Sequence, residues 1–340
     1  MFSFSLVNLS FFSLTLCVFL ALCLDKLVGE AERFHPLVGF GYIAKRIEKR
    51  LNKGRLLKLK GSAALGLCLS PCICLAYLIS TWLNDDMYAE IIFSSFVLYV
   101  CIGWRSLLEH GKAVYLPLEK QKINEAQDAV SRIVSRDCDD LDETDIAVAA
   151  TESILENGAD AIFAAIFWFL LAGVPGVVCY RLANTLDAMW GYKNSRFTQF
   201  GWAAARFDDA LNYFPARLTA FSYALCGHTK SAFKCWLTQA RYWKSPNAGP
   251  VMSSGAGAIL VSLGGKAVYH GTTHLRPLLG LTLTATTRAN SSSIKAACQL
   301  VSRSLYLWLL TMVVVLILSD VSATSSWFEE LVEYASSWLK

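Results

Sequence analysis

Apolar and polar residues fall along this chain in long blocks, and those blocks predict membrane helices. Residues 2–24 are apolar throughout and stop at Asp25-Lys26, which is enough for a first span. No Lys or Arg precedes Lys26, and Leu22 before Cys23 is too large for a lipoprotein-type cleavage site, so the run reads as a retained helix. Residues 61–83 give a second span, Asn84-Asp85-Asp86 an acidic turn, and Met87 to Trp104 the return. From 105 to 160 the character is that of soluble helix, with Leu107, Val114, Leu118, Ile123, Ala126 and Val130 at roughly helical spacing. RDCDDLDET (136–144) breaks that pattern, and Asp142 or Thr144 can cap a helix over 145–157.

Residues 161–180 are apolar but interrupted by Gly173-Val174-Pro175-Gly176. A plain count makes this a span. The break also permits two half-helices folded into a re-entrant hairpin packed against protein, which is the preferred reading. Beyond it, 214–226 is a short apolar run, and 228–244 is basic and amphipathic, with Trp236, Tyr242 and Trp243 suited to a membrane interface. SPNAGP (245–250) reads as a turn, followed by a Gly/Ala/Ser-rich stretch to Gly265. Residues 305–319 with their flanks form the last span, ahead of an amphipathic tail. The expected fold is all-α: a polytopic membrane protein of one domain (1–340) with amphipathic and re-entrant helices. Within it lie a basic cytoplasmic loop (25–60), a cytoplasmic helical segment (105–160), a charged segment (181–217) and an interfacial or loop segment (227–302).

Composition agrees: 54% of residues are hydrophobic and 17% charged, against about a quarter charged in soluble domains. The net charge of +4 matters less than its placement. Residues 25–60 hold ten Lys/Arg against four Asp/Glu, which fixes that side as cytoplasmic by the positive-inside rule and requires no nucleic acid. Most of the eleven cysteines lie in apolar runs without zinc-like spacing, as small buried hydrophobes do. His270 and His274 have the spacing of a helical metal pair, but Gly271 and the adjacent threonines favour a loop.

The candidate chemistry lies in 184–217, where acids, bases, amides and aromatics interleave in a mostly apolar chain. Ionisable groups near membrane depth are costly and mark function. Upstream, Glu152 and Glu156 share a helix face, with Asp160 just beyond. That face is either an exposed acidic surface or a set of hard oxygen ligands for Mg²⁺. No phosphate-binding loop, HExxH, nucleophile elbow or dinucleotide fingerprint is present. These patterns leave enzyme and transporter both open.

Seven ordered segments carry a resemblance: DKLVGEAERFHPLVGFG (25–41), RDCDDLDE (136–143), ESILENGAD (152–160), NTLDAMWGYKN (184–194), FGWAAARFDDALNYFPARLTA (200–220), SPNAGP (245–250) and RPLLG (276–280). On these the chain resembles the CobD/CbiB family, the adenosylcobinamide-phosphate synthases of cobalamin biosynthesis. In the familiar pattern the residues flanking Asp160 are Ser and Gly; here they are Ala159 and Ala161. The resemblance implies an ATP-dependent amide ligation at the cytoplasmic face of the inner membrane. It would join the propionate of adenosylcobyric acid to aminopropanol or its phosphate, with other membrane enzymes of the pathway as possible partners. Glu152, Glu156 and Asp160 are then expected to hold Mg²⁺, and Asp187, Lys193, Arg206, Asp208 and Asp209 to form the catalytic set. Asn184, Tyr192, Asn194, Arg196, Asn212, Arg217, Asn247 and His35 are expected to bind substrates. Two rival readings are a membrane sensor of the AmpE type, which should have lost Asp187, Lys193 and Asp208-Asp209, and a carrier, which should show paired broken helices.

Overall fold

A computed structural model describes residues 9–30, 35–269 and 271–337, with side chains described as far as Ser319. Among the described residues, five helical stretches are long and apolar enough to cross a bilayer: Phe11–Val28, Leu57–Leu83, Met87–Glu119, Glu143–Trp190 and Ser291–Ser319. Leu67, Leu75, Leu78, Ile92, Phe96, Leu310 and Ile317 stay exposed on them, as side chains that meet lipid do. The protein is a polytopic helical membrane protein carrying one small β-hairpin.

Helix α1 (Phe11–Val28) starts later than the apolar run suggests, because the Ser10 side chain accepts from the Ser13 amide and caps it. It takes in Asp25 and Lys26 and ends at Gly29, at φ +76°. Asp25 is a buried cap for another helix: its Oδ2 accepts from the Arg105 amide at 2.8 Å, at the start of α5 (Trp104–Glu119). The basic stretch expected as a loop contains α2 (Pro36–Leu51), opened by His35, whose Nδ1 accepts from the Leu37 amide, and by Pro36 in the first turn. Helices α3 (Leu57–Leu83) and α4 (Met87–Cys101) form the predicted hairpin, with Asp86 capping α4. A two-residue break at Ile102-Gly103 separates α4 from α5. The single helical period read over 107–130 divides into α5 and α6 (Ile123–Ser131), and Asp142 caps α7 (Glu143–Gly158) as expected.

Helix α7 continues through a π-turn (Ala159–Phe163) into α8 (Ala164–Trp190). Helical dihedrals fail within α8 at Ala172 and at Gly173, where φ is +60°. Glycine tolerates that conformation, and Pro175 then stands near the start of the second half, where its missing N–H leaves no gap. A straight helix would put Tyr180 about 30 Å from Asp160. The Tyr180 hydroxyl instead donates to the Asp160 carbonyl at 2.8 Å. The chain folds back on itself, as the Gly-Pro break predicts, and the apolar run 161–180 lies in a hairpin of two half-helices.

The segment 227–302, expected as interfacial structure and loop, is largely packed. Helix α9 (Trp202–Cys226) leads to α10 (Thr229–Gln239) and to α11 (Ala248–Ala258), every residue of which is buried. Small side chains let α11 approach its neighbours: a Cβ at Gly257 would lie 2.7 Å from the Ser231 carbonyl oxygen. Strands β1 (Ser262–Tyr269) and β2 (Thr272–Gly280) pair antiparallel, so 262–280 is a hairpin and not a plain loop. His270 lies outside the described residues. Helix α12 (Ser291–Ser337), about 70 Å long at 1.5 Å per residue, packs first on α5 and α7 and then along α9.

Two apolar cores result. The larger joins α1, α4–α7, α8 as far as Tyr180, the later part of α9, α11 and α12. The smaller joins Phe40 and Ala44 of α2, Ala64 and Cys68 of α3, Leu186 and Trp190 of α8, and Phe200 and Ala204 at the head of α9. The polar residues gather at the seam between them.

Candidate functional site

Three helices bring carboxylates to that seam. Glu156 comes from the last turn of α7 and Asp160 from the π-turn, a distortion that often re-aims a functional side chain. Asn184 and Asp187 come from the returning half of α8, and Asp208, Asp209 and Asn212 from α9. The fold-back at Gly173 makes this meeting possible.

Two connected lobes open from the cluster. The first, about 660 Å³, is walled by Glu156, Asp160, Asn184, Asp187, Tyr192, Lys193, Arg206, Asp208, Asp209, Asn212 and Asn247, all named from the sequence. The second, about 730 Å³, shares Glu156, Asp160, Asn184, Asp187 and Lys244 with it and extends beneath the β-hairpin to Trp243, Tyr269, His274 and Arg276. Volumes of this order suit organic substrates.

Asp208 is held by amides alone: Asn184 Nδ2 donates to Oδ1 at 3.3 Å and Asn212 Nδ2 to Oδ2 at 3.1 Å. Burial and the neighbouring Asp187 charge push its carboxyl up to about 7, against the two amide bonds. Asp209 is also raised, chiefly by burial, although Arg206 and Lys193 act in the opposite sense. Among the described residues, Glu156, Asp160 and Asp187 make no side-chain hydrogen bond or ion pair. Space beside Asp187 is kept by Gly191, where a Cβ would come within 2.1 Å of Asp187 Oδ1. This is a group of hard oxygen donors with no cation bonded directly to Glu156, Asp160 or Asp187 among the described residues, and the donor set fits Mg²⁺. No three His, Cys, Asp or Glu side chains among the described residues are drawn into a ready-made cage. That suits an ion which takes one or two carboxylates and completes its shell with phosphate oxygens and water.

Other expected site residues have different work. Glu152, proposed as a metal ligand, is buried and saturated: Oε2 accepts from Arg136 and, at 2.8 Å, from Arg276, while Oε1 accepts from the Gly264 amide. It ties α7 to the β-hairpin. Arg196 turns away from the lobes to grip Glu48 of α2 through Nε and Nη2 at 3.0 and 2.7 Å. Burial raises the Glu48 carboxyl, but the Arg196 and Asn52 bonds outweigh it, leaving the group below its ordinary range. Asn194 Oδ1 accepts from the Arg196 and Phe197 amides and shapes the turn. Arg217 bonds Asn247 Oδ1 and the Pro246 carbonyl, with its guanidinium 3.5 Å from the Tyr213 ring centre. Asn247 in turn donates to the Asp209 carbonyl at 2.8 Å, so Arg217 positions a wall residue without reaching the cavity. His35 is the cap of α2.

The sequence reading missed Lys244 as a cavity cation, and Arg136 and Arg276 as the partners of Glu152. Both arginines head motifs that carried the resemblance, so the signal was there without its geometry.

The family profile described as CobD/Cbib protein matches residues 18–301. A "Cobalamin biosynthesis protein CobD" of Stutzerimonas stutzeri is 52% identical over 302 residues, covering 88% of this chain and 97% of the relative. One of Chromobacterium violaceum is 50% identical over 297 residues, covering 85% and 92% respectively. A third, of Rhodobacter capsulatus, is 37% identical over 237 residues, covering 69% and 75%. No solved structure matches this chain.

Proposed function

Because the chain belongs to the CobD/CbiB family of cobalamin biosynthesis proteins, we propose that it is the ATP-dependent ligase that joins a corrinoid carboxylate to aminopropanol or its phosphate. The observation that carries this reading is the meeting of Glu156, Asp160, Asp187 and Asp208 with Lys193, Arg206 and Lys244 around one cavity. Amide formation from a carboxylate needs a leaving group on the acyl carbon. The corrinoid carboxylate oxygen attacks a phosphorus of ATP, releasing ADP or pyrophosphate. The amine nitrogen then attacks the acyl carbon, releasing phosphate or AMP and one proton.

Each protein group has a part in that sequence. Lys193, Arg206 and Lys244 offset the phosphate charge that shifts during transfer. Asp208, with its carboxyl near neutrality, accepts the proton of the attacking amine, and a base of that strength is well matched to the task. Asn184 and Asn212 hold Asp208 in place, and Asn247 faces the substrate amide or carboxylate. Glu156, Asp160 and Asp187 would hold Mg²⁺, which when bound neutralises phosphate oxygens.

The arrangement sits on the basic side of the membrane domain. Asn52, in the Lys45–Lys60 stretch, donates to the Arg196 carbonyl in the loop that bears Lys193. By the positive-inside rule that side is the cytoplasm of the inner-membrane protein, where ATP is available. The test is an assay of the purified, detergent-solubilised protein with adenosylcobyric acid, MgATP and either amine, read by mass spectrometry of the corrinoid and by nucleotide analysis. The expected outcome is an amide that forms only with ATP. A folded sample that binds corrinoid but yields no amide overturns the proposal.

A further inference from the structure

We propose that a third cleft, separated from the acidic cluster by Asn157, is a phosphate site. On the ligase reading above, it receives the phosphate of a phosphorylated amine. The cleft is about 510 Å³ and is walled by Ser106 and His110 of α5, Arg132 and Ser135 of the α6–α7 connection, Asn157 of α7 and Arg181 of α8. It adjoins the second lobe, with Ile133, Val134, Ser135, Ser153 and Asn157 forming walls of both.

Arg181 is the informative residue. Its Nε is buried without a hydrogen-bond partner. Arg136 and Arg276 share Glu152, Arg196 grips Glu48, Arg105 binds Glu109, and Arg217 binds Asn247. An unmet buried donor destabilises a fold, and a site retains one where a ligand supplies the acceptor. The side chains of Arg132, Ser106 and Ser135 likewise have no hydrogen bond or ion pair among the described residues. Two guanidiniums, two hydroxyls and an imidazole therefore face one cleft in which, among the described residues, Glu30 is the one acid. Guanidinium pairs and hydroxyls are the donors that recognise phosphate oxygens.

Position selects the source of that phosphate. The first lobe already has Lys193, Arg206 and Lys244 for a nucleotide, and none of them borders this cleft. Arg181 follows Tyr180, whose hydroxyl holds the Asp160 carbonyl, so the cleft ends next to the acidic cluster. Asn157 stands between them, its amide fixed by the Ser153 carbonyl at 2.9 Å and hydroxyl at 3.0 Å. A small phosphomonoester seated on Arg132 and Arg181 can extend its other end past Asn157 into the second lobe, towards Asp160. A free phosphate ion and a nucleotide phosphate share the same chemistry, and the test separates them.

Equilibrium dialysis of the full-length protein in detergent, with labelled aminopropanol O-phosphate as probe, gives the first measurement. Inorganic phosphate, free aminopropanol and ATP are the competitors. Inorganic phosphate is expected to displace the probe, and Arg132→Gln and Arg181→Gln to weaken probe binding by roughly 10- to 100-fold, as loss of a charged hydrogen bond does. In the ligation assay the same variants lower kcat/KM for the phosphorylated amine more than for free aminopropanol. Arg132 is exposed, so its variant remains informative if Arg181→Gln fails to fold. Displacement of the probe by ATP in proportion to ATP occupancy, or equal losses for both amines, overturns the phosphate assignment and leaves the ligase reading standing. Probe binding that depends on both arginines in a protein that makes no amide supports the cleft and overturns the ligase.

Discussion

Two carboxylates on α7, Glu152 and Glu156, stand one turn apart on the same face and have opposite surroundings. Glu152 is closed off by two guanidiniums and a backbone amide. Glu156 opens onto a cavity with Asp160, Asp187 and Asp208, and no cation among the described residues is bonded to it. The first arrangement is finished by the protein itself: charge is balanced, and two distant parts of the chain are fastened. The second has no such direct partner, and on the ligase reading that leaves room for a cation arriving with the substrates. Burial and acidity are common to both, so the state of compensation separates anchor from site.

The comparison breaks most visibly at Glu152. Glu152→Gln strands two buried guanidiniums, so it is expected to destabilise the protein by about 3–5 kcal/mol. A fall in thermal midpoint checks this, and Glu156→Gln should show no such fall. Equal midpoints for the two variants would erase the distinction. Asp187→Ala and Asp208→Ala are expected to lower ligation by roughly 100- to 1,000-fold while membrane insertion is kept. Retained activity in both would remove these residues from the chemistry.

Protons sharpen the contrast further. The Asp208 carboxyl, near 7 when folded, lies above its unfolded value, so the stability it contributes is full at low pH. That stability is lost as pH rises through about 7, while the base needed for amine attack appears over the same interval. Activity should therefore fall about tenfold per pH unit on the acid side, and Asp208→Asn should flatten the rise in thermal midpoint seen on acidification. A midpoint profile unchanged by that substitution would show that Asp208 does not titrate there. Gly191→Ala forces Asp187 Oδ1 away from a new Cβ and is expected to cost up to about tenfold in activity, read as the same assay's rate. Smallest is the Arg206→Ala effect on stability, below about 1 kcal/mol, because its 3.6 Å pair with Asp209 is exposed. Its KM for ATP should rise all the same.

Much of this was legible in the sequence. The spans, the α3–α4 turn, the Asp142 cap and the fold-back at Gly173 follow from hydropathy, capping chemistry and the Gly-Pro break. The amphipathic α2 was hidden by its own basicity, although His35-Pro36 and the recurrence of Leu37, Phe40, Ala44 and Leu51 mark it. The β-hairpin was hidden because its outer strand carries little periodic apolar signal. Eleven of the sixteen named site residues border the first lobe. Of the rest, His35 and Asn194 serve amides two or three positions on, which local capping chemistry can report, whereas Glu152, Arg196 and Arg217 turn on partners 16 to 148 positions away, as with Glu152–Arg136 and Glu48–Arg196, and no local pattern reports such distances.

The glycine turn inside α8 also bears on a matter of parity. Helices α1, α3 and α4 each have an end beside the site, and the long α12 leaves the same layer past Phe163 towards Met312. A fifth apolar stretch that returned to its own side adds nothing to the tally of crossings, which becomes even. The start of α1 and the far end of α12 then share one compartment, opposite the site, and reporters attached ahead of Phe11 and beyond Ser319 should read alike. Opposite signals would mean that the hairpin goes through.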